Sequence, residues 1–252
     1  MVRPRIGRRS LSAPAILVIL SMLCVTGCGG GQKDDTLTVF AAASLSESFS
    51  AIGKLFEQGH PAMKIRFSFG GSATLARQIK QGAPADVFAA ANMETMRQSE
   101  APTFRIFARN RLEIAVPKGN PAHVAGVSDL ARPGVKVALC APQVPCGAAA
   151  ATALAAAGVT VEPVTQEQDV KAALTKVRLG EVDAGLVYRT DVRSAGGEVE
   201  GIEFAEADKA INDYPIAVVP GTRRQVAAKE FIDIVLSDQG RRVLSDAGFT
   251  LV

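Results

Sequence analysis

From Leu37 onward the chain alternates short apolar runs with stretches in which apolar residues recur every three or four positions. Residues 37–40 read as a strand. Leu45, Phe49, Ile52 and Phe56 then trace one stripe of an amphipathic helix. Residues 65–69 are the next strand, Leu75 and Ile79 sit one helical turn apart, and residues 86–89 form a third strand. This β-α-β-α-β order predicts an α/β fold, with a parallel sheet covered by helices on both faces.

A second series repeats the pattern. Residues 112–116 and 135–139 read as strands, and the alanine-rich stretch 148–157 is a strong helix former that stops at Gly158. Val170, Ala173, Leu174 and Val177 mark another helix, residues 184–188 and 216–219 are strands, and Ala227, Phe231, Ile234 and Val235 share one face of a closing helix. The extended runs 111–118 and 214–221, each ending near a proline and a glycine, are the candidate connections out of one α/β unit and back. Residues 37–115 with 217–252 are therefore assigned to one lobe and 116–216 to the other.

The first 36 residues stand apart. Arg3, Arg5, Arg8 and Arg9 precede a mostly apolar stretch, 11–25, and then Val25-Thr26-Gly27-Cys28. That is the layout of a secretory signal, and the cysteine resembles the acceptor of a bacterial lipobox. The apolar stretch falls short of the ~20 residues that span a bilayer. Residues 1–36 are expected to be a lipoprotein signal and flexible tether, with Cys28 lipidated on the extracytoplasmic face of the membrane. The leader arginines inflate the formal charge of +3, and no basic stripe with interleaved aromatics suggests nucleic acid. Once Cys24 leaves with the signal and Cys28 carries lipid, Cys140 and Cys146 remain. In an exported chain they are expected to pair.

Three strand-to-helix junctions carry small or hydroxyl residues and no cation: Phe40-Ala41-Ala42-Ala43-Ser44, Gly70-Gly71-Ser72 and Pro145-Cys146-Gly147; Asp169-Val170 is a fourth, less clean. First-turn N–H groups lack internal partners and, with the helix dipole, make a ready anion site. Each junction also has a plainer reading, because serine and aspartate are ordinary N-caps, and Ser44 with Glu47 matches a capping box. Catalytic motifs are lacking: Gly70-Gly71-Ser72 has no P-loop lysine, and neither Gly-x-Ser-x-Gly nor His-Glu-x-x-His occurs. The enzyme alternative is a thiol reaction at Cys146 with His60 or His123 as base.

Residues 38–45 resemble the opening strand of the molybdate-binding proteins of ABC transporters. Residues 72–79, Gly82-Ala83-Pro84-Ala85-Asp86-Val87-Phe88, Gly185-Leu186-Val187-Tyr188, Tyr214-Pro215-Ile216-Ala217-Val218-Val219 and Gly248-Phe249-Thr250 resemble that family's later segments, in order. The resemblance implies a two-lobed type II periplasmic-binding-protein fold, each lobe a mostly parallel sheet flanked by helices, with two crossover strands. It implies a non-enzymatic monomer without a cofactor, with molybdate or tungstate in the cleft as cargo and an ABC permease as partner. Ser44 and Ser72 match ligands offering hydroxyl and N–H, Cys146 and Val170 match backbone donors, and Tyr188 matches a hydroxyl donor. Cys146 departs from the small residue the family has there. Sulfate or another small oxyanion in the same fold is the alternative cargo.

Overall fold

The computed structural model describes residues 35–252; the leader, Cys28 and nearly all of the tether lie outside the described residues. The first stretch gives β1 (Asp35–Ala42), α1 (Ser46–Gly59), β2 (Met63–Gly70), α2 (Ser72–Lys80), β3 (Val87–Ala89), α3 (Met93–Gln98) and β4 (Arg105–Asn110). Then come β5 (Leu112–Pro117), β6 (Val137–Cys140), α4 (Pro145–Ala157), β7 (Thr165–Glu167), α5 (Val170–Arg178), β8 (Ala184–Tyr188), α6 (Arg189–Ser194) and β9 (Val199–Ile202). The chain closes with β10 (Asn212–Val218), α7 (Gln225–Leu236), α8 (Asp238–Ala247) and β11 (Thr250–Leu251).

Two sheets result, one per lobe: six strands in the order β11-β4-β10-β3-β1-β2, and five in the order β7-β6-β8-β5-β9. The shared core of these orders is one topology used twice, with β2-β1-β3-β10-β4 in one lobe and β7-β6-β8-β5-β9 in the other. The β-α-β units are parallel, as the periodicity predicted. The inserted strand runs the other way, β10 against β3 and β4, and β5 against β8 and β9. Both sheets are therefore mixed, with four strands of each running one way, β1 to β4 in the first and β6 to β9 in the second, the mostly parallel arrangement expected. The strand that arrives from the opposite lobe enters the sheet reversed.

The lobe boundaries drawn from the sequence are corrected by the same pairing. They cut through β5 and β10, yet β5 belongs whole to the second sheet and β10 whole to the first. The chain crosses at Arg111 and returns through residues 203–211. Proline and glycine marked where those strands end, not where the chain changes lobe. The two crossings are tied together: Arg111 pairs with Glu203 and Asp208 of the return segment, each at 3.5 Å.

Each lobe has its own core. In the first, Phe49, Ile52 and Phe56 of α1 face inward, and the Phe49 ring meets Phe107 and Phe231, both at 5.8 Å between centroids. In the second, the alanine face of α4 packs on β6 and β8, and Gly158 ends the helix in the left-handed conformation (φ 65°). Ala73 of α2, a first-lobe residue, is buried in the second lobe's core, so the lobes touch beside the cleft.

Candidate functional site

The carboxyl ends of β1, β2, β6 and β8 point toward the cleft, and the turn after each leads into a helix. Sheet-end crevices of this kind are where open α/β folds bind ligands. Ser44, Ser72, Cys146, Val170 and Tyr188, the five residues singled out in the sequence, line one cavity there. Ala42, Ala43, Gly70, Gly71, Ala91, Val144, Pro145 and Asp169 complete its wall, and no basic side chain is among them. All five of those residues are at most 4% exposed. The room left for a water-sized sphere's centre is about 20 Å³, the scale of one water or one small ion.

Local sequence explains the wall. Ser72 is the first residue of α2, Cys146 the second of α4 behind Pro145, and Val170 the first of α5. Their N–H groups belong to first turns, which leave such groups without intrahelical partners. Asp169 is the plain N-cap expected of it: its Oδ1 accepts the Ala172 N–H at 3.0 Å, which ties that oxygen to the start of α5. Ser44 is not the cap expected of it. It lies in a short 3-10 turn (Ala43–Leu45) with no side-chain cap bond, and its Oγ is 2.8 Å from the Tyr214 hydroxyl. Glu47 turns outward and pairs with Lys171 instead. Ser72 Oγ accepts the Ala91 N–H at 3.0 Å, which leaves its proton for another acceptor.

Tyr188 is the exception to the well-bonded surroundings. It is 1% exposed, yet its hydroxyl has no hydrogen-bond partner among the described residues. The Tyr214 ring stands edge-on with centroids 6.1 Å apart, near enough for its hydroxyl to be felt electrostatically but outside bonding geometry. Burial, then the neighbouring Tyr214 and Asp191, push the Tyr188 phenol well above its ordinary range, so it stays protonated and a donor. A buried polar group left unpaired costs roughly 1–3 kcal/mol, which a ligand accepting from it would recover.

Cys140 and Cys146 are bridged, their Cα atoms 5.7 Å apart, pinning the start of α4 to the end of β6. Gly147 is required at this fold-back, because a Cβ there would collide with the Ala141 carbonyl. The bridge removes the thiol that the enzymatic alternative needed. The histidines proposed as its base are engaged or positioned elsewhere: His60 Nε2 faces Glu230 at 3.3 Å, and His123 sits in a turn at φ 49°. Among the described residues no cluster of His, Cys, Asp and Glu could hold a metal ion.

Sequence reasoning missed the groups behind the wall. Asn110, Tyr214 and Asn212 are buried polar residues that support it from β4 and β10. Lys171 of α5 reaches Glu47 of α1 at 2.8 Å and the buried Asp191 at 3.4 Å. Nothing in the sequence marked Asn110 or Asn212, because neither lies in a segment whose pattern reads as a strand.

Residues 37–250 match the family described as bacterial extracellular solute-binding protein. The molybdate-binding protein ModA of Mycobacterium tuberculosis is 40% identical over 228 residues, 88% of this chain and 87% of that protein. A Bacillus subtilis protein described as a putative ABC transporter substrate-binding lipoprotein, YvgL, is 32% identical, with 93% of this chain and 96% of the relative covered. The Azotobacter vinelandii periplasmic molybdate-binding protein shares the fold at 19% identity, with a TM-score of 0.76 over 86% of this chain and 99% of that one.

Proposed function

Because the chain belongs to the bacterial extracellular solute-binding proteins, and within them to the molybdate-binding family, we propose that it captures molybdate, or equally tungstate, for an ABC importer. The observation that carries this reading is the cavity wall, built of helix starts and hydroxyls, free of cations, and holding one buried phenol without a hydrogen-bond partner among the described residues. A tetrahedral dianion supplies acceptors in several directions at once. Ser44 and Ser72 would each give hydroxyl and N–H, Cys146 and Val170 their N–H groups, and Tyr188 its hydroxyl. Charge-assisted bonds of this kind are about twice as strong as neutral ones.

Neutral donors without an acceptor disfavour a partly protonated phosphate. Sulfate is smaller than molybdate, and each donor it left unreached would cost roughly 1–3 kcal/mol. Molybdate and tungstate are nearly the same size and should bind alike. The protein is read as a monomeric, non-enzymatic carrier, tethered outside the cytoplasm by lipid on Cys28, that passes its ion to a membrane permease.

The test is thermal unfolding of the purified protein with molybdate, tungstate, sulfate and phosphate. A ligand at about 100 times its Kd adds about 2.7 kcal/mol of stability. Large shifts with the first two and little with sulfate support the reading. A shift with sulfate or phosphate alone would change the cargo, and no shift with any would reject it.

A further inference from the structure

A serine hydroxyl helps hold an anion only when its proton points at the anion, and the bonds behind Ser44 determine where that proton goes. The chain of donors starts at the lobe crossing. The Arg111 N–H donates to Asn110 Oδ1 at 3.1 Å. A backbone N–H is an obligatory donor, so the Asn110 amide is oriented with Nδ2 facing the other way. Nδ2 donates to Thr190 Oγ1 at 2.8 Å and, at a longer 3.5 Å, to the Tyr214 hydroxyl oxygen. Tyr214 is fully buried, and its hydroxyl lies 2.8 Å from Ser44 Oγ. With a donor already behind it, Tyr214 gives its own proton to Ser44. The Ser44 proton is then left to point into the cavity.

Ser72 is set the same way by a separate route. Its Oγ accepts the Ala91 N–H at 3.0 Å, and Asn212 Nδ2 anchors the same residue from the next peptide by donating to the Ala91 carbonyl at 2.6 Å. Both serines accept from behind and donate in front.

We propose that Tyr214 and Asn110 are positioning residues that fix the polarity of the Ser44 hydroxyl, making it a donor to the bound oxyanion and denying it the role of acceptor for a protonated one. This rests on the oxyanion reading above. Neither residue lines the cavity; both act through Ser44, one of them from 170 positions away in sequence.

The experiment is calorimetric titration of wild type, Tyr214→Phe, Ser44→Ala and the double variant, with molybdate and with hydrogen phosphate at mildly alkaline pH. Tyr214→Phe should weaken molybdate binding roughly three- to tenfold, the span of one net hydrogen bond. It should also narrow the preference for molybdate over hydrogen phosphate, because the freed Ser44 oxygen can then accept the phosphate proton. In the Ser44→Ala background the same substitution should have no effect. A penalty that persists without the serine hydroxyl, or a preference that does not move, overturns the proposal. Should Tyr214→Phe not fold cooperatively, Asn110→Asp replaces it: the carboxylate would draw the Tyr214 proton away from Ser44. The loss must then be larger with Ser44 present than with Ala; equal losses would reveal only the added charge and overturn the proposal. Wild type that binds no oxyanion would defeat the underlying reading itself, a result distinct from either.

Discussion

Lys171 of the second lobe holds Glu47 of the first, Nζ to Oε1 at 2.8 Å, across the mouth of the cleft. The same ammonium also stands 3.4 Å from Asp191, whose side chain is wholly buried. One lysine thus spans the lobes and offsets a buried carboxylate. The pair itself is partly exposed, and such bridges contribute only ~0–1 kcal/mol. Glu47→Gln should therefore weaken ion binding about two- to threefold at low salt. High salt should erase the difference from wild type. Lys171→Gln should cost more, since it also strands Asp191. Dissociation constants of the three proteins at two ionic strengths check this.

Asp191 predicts a pH dependence of folding. Burial raises its carboxyl to about 7, against the opposing pull of Lys171 and the Tyr188 N–H. The unfolded chain loses this proton near 4, whereas the folded one keeps it to about 7. The folded state binds more protons in that window, so this contribution to stability is present at acid pH and lost as pH rises through 7. Asparagine keeps the acceptor for the Tyr188 N–H (3.2 Å) and does not titrate. The melting temperature of wild type minus that of Asp191→Asn should fall as pH goes from about 5 to about 8. A flat difference would reject the assignment.

Gly71 sits where the lobes press together. Its backbone is ordinary extended chain (φ −61°, ψ 124°), open to any residue. A Cβ there would nonetheless run into the carbonyl oxygen of Gln168 on the opposite lobe. Gly71→Ala should leave the melting temperature of the ligand-free protein near wild type and weaken ion binding by about 1–3 kcal/mol, the usual cost of overpacking. Equal losses of stability and affinity would show that the glycine serves its own lobe alone.

For Tyr188 the two readouts should move in opposite directions. Tyr188→Phe removes a buried hydroxyl that has no partner among the described residues, so the ligand-free protein should gain up to about 1 kcal/mol while ion binding weakens by about 1–3 kcal/mol. Chemical denaturation with and without molybdate separates them. Lower stability without ligand would mean the hydroxyl is bonded within the protein.

Replacing Cys140 and Cys146 together with alanine should cost roughly 2 kcal/mol of stability, the chain-entropy value for a loop this short. It should also weaken binding modestly, because the α4 start that carries the Cys146 N–H loses its anchor. Alkylation and mass measurement of unreduced wild type should find no free thiol at either position.

Periodicity was a good guide where a segment's partners are local. The strand 184–188 matches its pattern to the residue, α4 stops at Gly158 as expected, and the stripe from Val170 to Val177 lies within α5. It failed on segments whose faces are set by distant chain. Nothing local in Arg105–Asn110 marks a strand, because its pairing with β10 and β11 joins residues over a hundred positions apart. In α8 only Gly240 and Leu244 are buried, too few for a stripe. The cavity residues were legible because helix starts and the family resemblance both point to them. Tyr214 was visible only as part of a resembling segment. What its hydroxyl touches, Ser44 Oγ, is fixed by the inserted strand β10, and no spacing rule spans that distance.

The five donors proposed for the ion come from both lobes, and all are buried. On that proposal an ion among them would have no surface left to show another protein. Whatever received the cargo would have to tell a loaded carrier from an empty one by how the two halves stand to each other. The message would then be carried by shape, and the ion's chemistry read only once, on the inside.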